Sequence, residues 1–317
     1  MLGINFKKTL LVVISVMLAN FSVYAQLFLN TALSTCDTAM NCDIVNYTTR
    51  NGPNSVSGAD FDRDGDIDLV VACPGDDSVC ILWNDGFGHF DSIRCYVAWT
   101  DPWAVIAFSC DGDTLPDFAV ANAHPTDSKV SIFRNNGFKN FSKQDVPVGN
   151  VAYALAVEDL DRDGDQDLAV AITDAENYIV VIQNNSNCNY SLWGALPAGF
   201  HPRFVATCHL NQDVCPDIVV SNTDANTITV LLHTCAGGFS FIPTNYAVGT
   251  NPNNIVCCDI DNDGDKDVVV ANNGSHDISV LKNDGNGNFC CRMDYPTGGR
   301  IRQGLYVQIL TKMEKMN

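Results

Sequence analysis

A nine-residue acidic pattern, Asp-x-Asp-x-Asp-Gly-x-x-Asp, recurs at a nearly constant spacing along this 317-residue chain. Full copies begin at Asp60, Asp159 and Asp259, and weaker copies lie between them. Steps of 49, 50, 50 and 50 residues separate the final aspartates of the five copies, which are Asp68, Asp117, Asp167, Asp217 and Asp267. So even a spacing indicates that one structural unit has been repeated, with a period typical of repeat architectures.

Each acidic loop is followed by two segments with the sequence pattern of β-strands. A near-continuous apolar run comes first, as at 69–72, and an alternating segment follows after a polar turn, as at 79–83. Asn-Gly or Asp-Gly then supplies the positive φ angles of a tight hairpin. Because four strands joined by short turns form one propeller blade, the sequence predicts an all-β fold, a β-propeller of about 50-residue four-stranded blades.

Two further sequences repeat with the loops: a Gly before most loops, usually followed by Pro, and Asn-Asp-Gly-x-Gly-x-Phe at 84–90 and 283–289. Together with the loops, they resemble the FG-GAP/VCBS repeat family, β-propeller repeats also found in integrin α-subunit heads. The resemblance covers residues 47–299 and implies that the loop between the first two strands of a blade binds calcium. It also implies rings of seven blades. Because five complete repeats and a partial sixth from Tyr295 are present, we expect a truncated seven-bladed ring.

The three full loops have the composition of calcium sites. Ca²⁺ is a hard cation that takes six to eight oxygen ligands, and alternate residues of a curled loop direct carboxylates to one side. The residue after the loop glycine is expected to offer its backbone carbonyl. Without a cation these carboxylates would repel one another, although a solvated acidic turn without metal is the alternative. The predicted ligands are Asp60, Asp62, Asp64, Asp66 and Asp68, then Asp159, Asp161, Asp163, Asp165 and Asp167, then Asp259, Asp261, Asp263, Asp265 and Asp267.

The second and fourth loops have fewer acidic residues. Ser109 replaces the first aspartate of the second loop, and His209 and Asn211 replace the first two of the fourth. Since fewer charges mean lower calcium affinity, the second loop is equally consistent with a filled or an empty site, and an empty site is favoured for the fourth. The remaining candidate ligands are Asp111, Asp113 and Asp117 in the second loop and Asp213 and Asp217 in the fourth.

The N-terminus has the features of a secretory signal peptide over residues 1–25: two lysines, an apolar stretch at 9–18 and a small-residue cleavage site ending at Ala25. An uncleaved anchor is the alternative. The segment 26–46 precedes the repeats, and a strand that closes the ring is one role for it. We therefore expect a secreted or surface-displayed protein with no transmembrane segment after cleavage. Its net charge of −19 disfavours binding to nucleic acid and anionic membranes.

The tail at 300–317 is basic and lacks aspartate where the period places a sixth loop, near residue 309. Back-translated and read from the third base of each codon, it allows an Asp-rich sequence with glycine at the turn position. We therefore expect a reading-frame shift near Arg300, with a divergent natural tail as the alternative.

The 14 cysteines suggest disulfides in an exported chain. We expect hairpin-type pairs between Cys73 and Cys80, between Cys208 and Cys215 around the fourth loop, and between Cys36 and Cys42. The adjacent pairs at 257–258 and 290–291 are expected to point to opposite faces of a strand. Buried unpaired thiols are the alternative for these residues.

No catalytic constellation is visible in the sequence, so we expect a non-enzymatic binding or adhesion module for a carbohydrate or extracellular protein ligand. The six histidines are scattered, and no catalytic sequence pattern occurs. The turns that carry His124, Glu176, Asp224 and His276 could line a binding face, although solvated turns are the simpler interpretation. The alternative is a propeller-type polysaccharide lyase or other carbohydrate-active enzyme.

Overall fold

The computed structural model describes residues 45–90, 92–173, 177–235 and 240–298. The predicted signal peptide, nearly all of the 26–46 segment, Cys36, Cys42 and the 300–317 tail lie outside these ranges. The described part of the chain contains no helix with the length and hydrophobicity needed to cross a membrane.

The strands form five antiparallel sheets of four strands each, and within each sheet the strands follow the order of the chain. The predicted all-β propeller with five complete blades is therefore confirmed. A short 3₁₀ helix at Pro74–Asp76 follows β2. The strands are β1 Ser55–Ala59, β2 Asp68–Cys73, β3 Ser78–Trp83, β4 Ser92–Val97, β5 Pro102–Phe108, β6 Asp117–Asn122, β7 Ser128–Asn135, β8 Phe141–Gly149, β9 Ala152–Glu158, β10 Asp167–Ile172, β11 Tyr178–Asn184, β12 Tyr190–Pro197, β13 Pro202–Cys208, β14 Asp217–Asn222, β15 Thr227–His233, β16 Phe241–Ala247, β17 Pro252–Cys258, β18 Asp267–Asn272, β19 Asp277–Asn283 and β20 Phe289–Pro296.

The hydrophobic core lies between the blades. One cluster joins the first and second blades, another the second and third, and a third runs through the last three blades. The second strand of a blade is covered on both faces, which explains its continuous apolar sequence; every residue of β6, for example, is buried. The outermost strand faces solvent, as β20 does.

The innermost strands surround a central axis. They pack in succession, β1 on β5, β5 on β9, β9 on β13 and β13 on β17. Within the described ranges, this close packing does not continue from β17 to β1. The seven-bladed ring and the sixth blade stay predictions, because the tail lies outside the described residues.

The disulfide pairing differs from the one expected. Cys80 is bonded to Cys95, which lies directly opposite it on β4, and not to Cys73. Cys208 and Cys215 do not pair with each other, because each meets a closer partner elsewhere: Cys208 bonds Cys257 of the next blade. The remaining two bonds join Cys110 to Cys188 and Cys215 to Cys235.

The two pairs of adjacent cysteines, at 257–258 and 290–291, differ in their bonding and in the directions of their side chains. Cys257 is crosslinked to the neighbouring blade, whereas Cys258 takes no part in the four disulfides. The sulfur atoms of Cys290 and Cys291 lie 3.2 Å apart on the exposed surface, so the expectation of opposite faces is wrong for this pair. The reason is a β-bulge, since the pairing of β19 with β20 shifts its register at Cys290.

Candidate metal centres

The five acidic loops occupy equivalent positions, between the first and second strands of each blade. The glycine of each full loop has a positive φ angle, between 96° and 98°, at Gly65, Gly164 and Gly264. That conformation favours glycine and produces the sharp turn that the sequence predicts. The first aspartate holds the turn closed: the Asp60 carboxylate accepts the backbone N–H groups of Asp64 and Gly65 at 3.1 and 3.0 Å.

Three carboxylates converge in each full loop. In the first blade they belong to Asp60, Asp62 and Asp68, and the equivalent set in the third blade is Asp159, Asp161 and Asp167. In the fifth blade Asp259, Asp261 and Asp263 converge. Within each set the ligand atoms lie no more than 4.8 Å apart. A group of hard, anionic oxygen donors at this spacing fits Ca²⁺, which tolerates flexible geometry.

The residue after the loop glycine directs its side chain away from these clusters. Each of the Asp66 and Asp265 carboxylates lies against the hairpin of its own blade, beside Gly86 and Gly285 respectively. A Cβ atom at either glycine would approach that carboxylate within 2.4 to 2.5 Å, and both glycines have a φ angle of 79°, a conformation that favours glycine. The backbone carbonyl of this residue stays a predicted ligand.

The final aspartate of each loop has a structural role that the sequence analysis missed. It is the first residue of the second strand, and in all five blades it is fully buried. In the first blade the two carboxylate oxygens of Asp68 accept the N–H groups of Phe61, in the loop, and Asn84, after β3, at 3.1 and 2.8 Å. In the other four blades, the equivalent aspartates accept N–H groups from the equivalent two positions of their own blade. These aspartates are Asp117, Asp167, Asp217 and Asp267. This carboxylate therefore ties the loop to the third strand in every blade.

Burial of these carboxylates opposes their ionisation. Burial raises the pKa of Asp68, Asp117 and Asp217 to about 6, and that of Asp167 to about 7. The pKa of Asp267 is also raised by burial. The two backbone N–H donors act in the opposite direction, and repulsion from neighbouring aspartates adds to the rise. A cation at the full loops would favour the charged form.

In the second, third and fifth blades, the asparagine that ends the third strand connects that blade to the loop of the preceding blade. The Asn135 side chain donates to the Phe61 carbonyl of the first loop at 2.8 Å, and Asn184 donates to Cys110 of the second loop at 2.6 Å. Asn283 donates to Leu210 of the fourth loop at 2.7 Å. The sequence carries a signal for this contact, because an asparagine precedes most hairpins, but the pattern alone indicates only a turn.

The second aspartate of a loop faces a polar or cationic side chain. Asp62 forms an ion pair with Lys139 of the next blade at 2.7 Å, and Asp261 pairs with Lys282 at 2.8 Å. The side chain of Gln183 donates to Asp161. Lys282 lowers the pKa of Asp261 through a hydrogen bond. Bound calcium would take over the neutralisation of these carboxylates.

The second and fourth loops do not assemble three carboxylates. The side chain of Asp111 is buried against Arg134, whose guanidinium donates to it at 2.8 Å. The positive charge near this carboxylate is therefore supplied by an arginine of the protein. Asp113 accepts the N–H of Leu115 and lies outside any carboxylate group. In the fourth loop, Asp213 accepts the N–H of Cys215.

A disulfide is attached to each of these two loops instead. Cys110 of the second loop bonds Cys188 in the third blade, and Cys215 of the fourth loop bonds Cys235 of the same blade. Asp117 and Asp213 each lie close to the sulfurs of a disulfide, but oxidised sulfur supplies no thiolate ligand. The full loops contain no cysteine. In both loops with an incomplete carboxylate set, a disulfide thus anchors the loop.

The turns between the second and third strands lie at the opposite end of the blades. Asp224 contacts His201 there, and His276 adopts a left-handed backbone conformation with a φ of 57°. Glu176 lies outside the described residues.

This chain is similar to known proteins in its repeats and in its fold. A family model of the FG-GAP-like repeat matches residues 110–170 and 209–270, which contain the second to fifth loops. No curated protein matches the chain.

Several solved structures share the fold. A functionally unknown protein from Desulfotomaculum acetoxidans is 14% identical with a TM-score of 0.60, over 83% of this chain and 76% of that chain. BBS1N in complex with ARL6DN is 17% identical with a TM-score of 0.53, over 76% and 68% of the two chains. The Dos1 propeller is 11% identical with a TM-score of 0.54, over 79% and 60%. At these identities the likeness shows the fold alone. The chain is therefore a five-bladed β-propeller over the described residues, with FG-GAP-like repeats matched at 110–170 and 209–270.

Proposed function

We propose that this protein is a secreted or cell-surface binding module for a carbohydrate or protein ligand, stabilised by calcium in its first, third and fifth blades. One observation carries the calcium assignment: three carboxylates converge in each of these loops and in neither of the other two. The propeller fold supports the binding role, because its faces present loops from several blades at once.

Calcium would act on strand connections that the protein already defines. In the first blade, Asp60 and Asp62 belong to the loop, whereas Asp68 begins β2 and accepts an N–H group at the end of β3. A cation held by these carboxylates would fix the loop relative to both strands and remove their mutual repulsion. The metal thus has a structural role, and ligand recognition belongs to the propeller faces.

Thermal unfolding with and without calcium tests this role. Because the folded loops bind calcium and the unfolded chain hardly does, calcium should raise the melting temperature and a chelator should lower it. Asp62→Ala and Asp261→Ala should each reduce the calcium-induced increase by removing one site. Asp113→Ala in the second loop is the matched control, and it should leave that increase unchanged. Identical melting curves for the dialysed and the calcium-loaded protein would contradict the proposal.

The ligand class is tested separately. A glycan array probed with and without calcium should show binding to a defined set of glycans if the ligand is a carbohydrate. The acidic surface, with a net charge of −19, should give no binding to DNA. A polyuronate degradation assay distinguishes the lyase alternative, since a binding module leaves the polymer intact.

A further inference from the structure

A cavity lies on the central axis, where the inner strands of all five blades converge. Four of its lining residues are each the second residue of an inner strand: Trp103 of β5, Tyr153 of β9, Arg203 of β13 and Asn253 of β17. The acidic loops follow the last residue of the same strands. These four residues therefore lie at the end of the inner strands away from the candidate metal centres.

Arg203 is positioned in the cavity by aromatic side chains. Its guanidinium carbon lies 4.6 Å from the centre of the Tyr153 ring, a cation–π contact. Trp103 packs edge-on against Tyr153, with ring centres 5.2 Å apart and an interplanar angle of 87°. These contacts hold the guanidinium in place without using its N–H donors.

Two polar side chains of the cavity, Arg203 and Asn253, have no hydrogen-bond partner in the described part of the chain, whereas the Ser55 and Ser57 hydroxyls accept the backbone N–H groups of Val105 and Ala107. No aspartate or glutamate lines it, in a chain with 37 acidic residues. Over the described ranges, the Arg203 guanidinium has neither an ion pair nor a hydrogen bond, whereas Arg134 and Arg292 both pair with aspartates. The side-chain amide of Asn253 likewise has no hydrogen-bond partner there, although only 9% of this residue is exposed.

We propose that the axial cavity binds the carboxylate of a sugar acid, with Arg203 as the anchor. The inference rests on the carbohydrate-binding form of the proposed function. A guanidinium presents paired donors that match both oxygens of a carboxylate. Tyr153 and Trp103 offer apolar surface to a sugar ring, and Asn253 offers a donor and an acceptor for its hydroxyl groups. The absence of acidic lining residues lets an anion enter a protein that is otherwise strongly negative.

Glucuronate and glucose form a matched pair of probes, because they differ only in the carboxylate. Calorimetric titration of the calcium-loaded protein should show saturable binding of glucuronate and at least about tenfold weaker binding of glucose, since a charge-assisted bond is lost. Arg203→Gln should weaken glucuronate binding at least about tenfold. Arg203→Lys should weaken it by less, because lysine keeps the positive charge but lacks the paired donors of a guanidinium. Arg50→Gln, at an exposed arginine outside the cavity, is the control and should bind as the wild type does.

A second variant covers the case in which Arg203→Gln fails to fold. Asn253→Asp changes one atom and places a carboxylate in the cavity, so it should also weaken glucuronate binding. Equal affinities for glucose and glucuronate, no glucuronate binding, or unchanged binding by a folded Arg203→Gln protein would each overturn the inference. Neutral glycans bound on the array without glucuronate binding would overturn this inference alone, whereas binding of no glycan at all would also remove the carbohydrate-binding proposal.

Discussion

Asp217→Asn separates the structural role of the final loop aspartate from any role in metal binding. The fourth blade is suited to this test because its loop assembles no group of three carboxylates. Asp217 is fully buried and accepts the N–H groups of Leu210 and His233 at 2.9 and 2.8 Å. Asparagine keeps the shape and one acceptor oxygen but replaces the other oxygen with a donor.

The substitution should leave one of the two N–H groups buried without an acceptor. Such a group costs about 1–3 kcal/mol, so we expect Asp217→Asn to lower the free energy of unfolding by that amount. Asp217→Ala removes both acceptors and should cost about twice as much. For a domain of this size, 1 kcal/mol shifts the melting temperature by about 2–4 °C.

Denaturant unfolding followed by circular dichroism measures this difference. Asp101→Asn is the control, because Asp101 is exposed and has a positive φ of 54°, which asparagine tolerates. The control should stay within about 0.5 kcal/mol of the wild type. If Asp217→Asn and Asp101→Asn have the same stability, the buried carboxylate does not hold the loop and this reasoning fails.

Three further outcomes follow from the same contacts. In calcium-free buffer the protein should become more stable as the pH falls from about 7 to about 5: burial raises the pKa of Asp68, Asp117 and Asp217 to about 6 from 3.8, so folding takes up protons in this window. Calcium should weaken this trend, because it binds the ionised carboxylates of the full loops, including Asp68, whereas Asp117 and Asp217 lie in loops without a carboxylate cluster; a flat stability profile without calcium would refute the argument. Cys188→Ser should cost about 2–5 kcal/mol by removing a crosslink across 78 residues, whereas Cys291→Ser should cost little, as unfolding curves would show. Arg134→Gln should cost about 1.5–3 kcal/mol of unfolding free energy, with unchanged calcium stoichiometry, because it breaks a charged hydrogen bond to Asp111.

The blades could be predicted from the sequence because their signals are local. The apolar second strand, the alternating third strand and the glycine hairpin each lie within a few residues, and the repeat period places them in register. The position of the acidic loops between β1 and β2, or between β9 and β10, follows from the same local pattern. No knowledge of which blades meet is needed for these predictions.

Contacts between blades could not be predicted in this way. The partner of Cys110 is Cys188 in the next blade, and the partner of Cys208 is Cys257, so both bonds depend on how the sheets pack. The axial cavity around Arg203 is likewise lined by residues from five inner strands that lie about 50 residues apart in the sequence. Sequence spacing shows that such positions are equivalent, but not that they face a common axis.

The final aspartate of the loop illustrates an intermediate case. The sequence groups it with the metal ligands, and Asp68 and Asp167 do lie within the carboxylate clusters. This aspartate is also present as Asp117 and Asp217, in the two loops with fewer acidic residues, and that pattern indicates a second role. That role, acceptance of two buried N–H groups, becomes visible only when the third strand is in place.

Counting bound calcium by native mass spectrometry tests the central claim most directly. The account predicts three calcium ions per chain for the wild-type protein, and two each for Asp62→Ala, Asp161→Ala and Asp261→Ala. Asp113→Ala should retain three ions. A folded wild-type protein that binds no calcium, or single-loop variants that keep the wild-type count, would contradict the assignment of metal to the first, third and fifth blades.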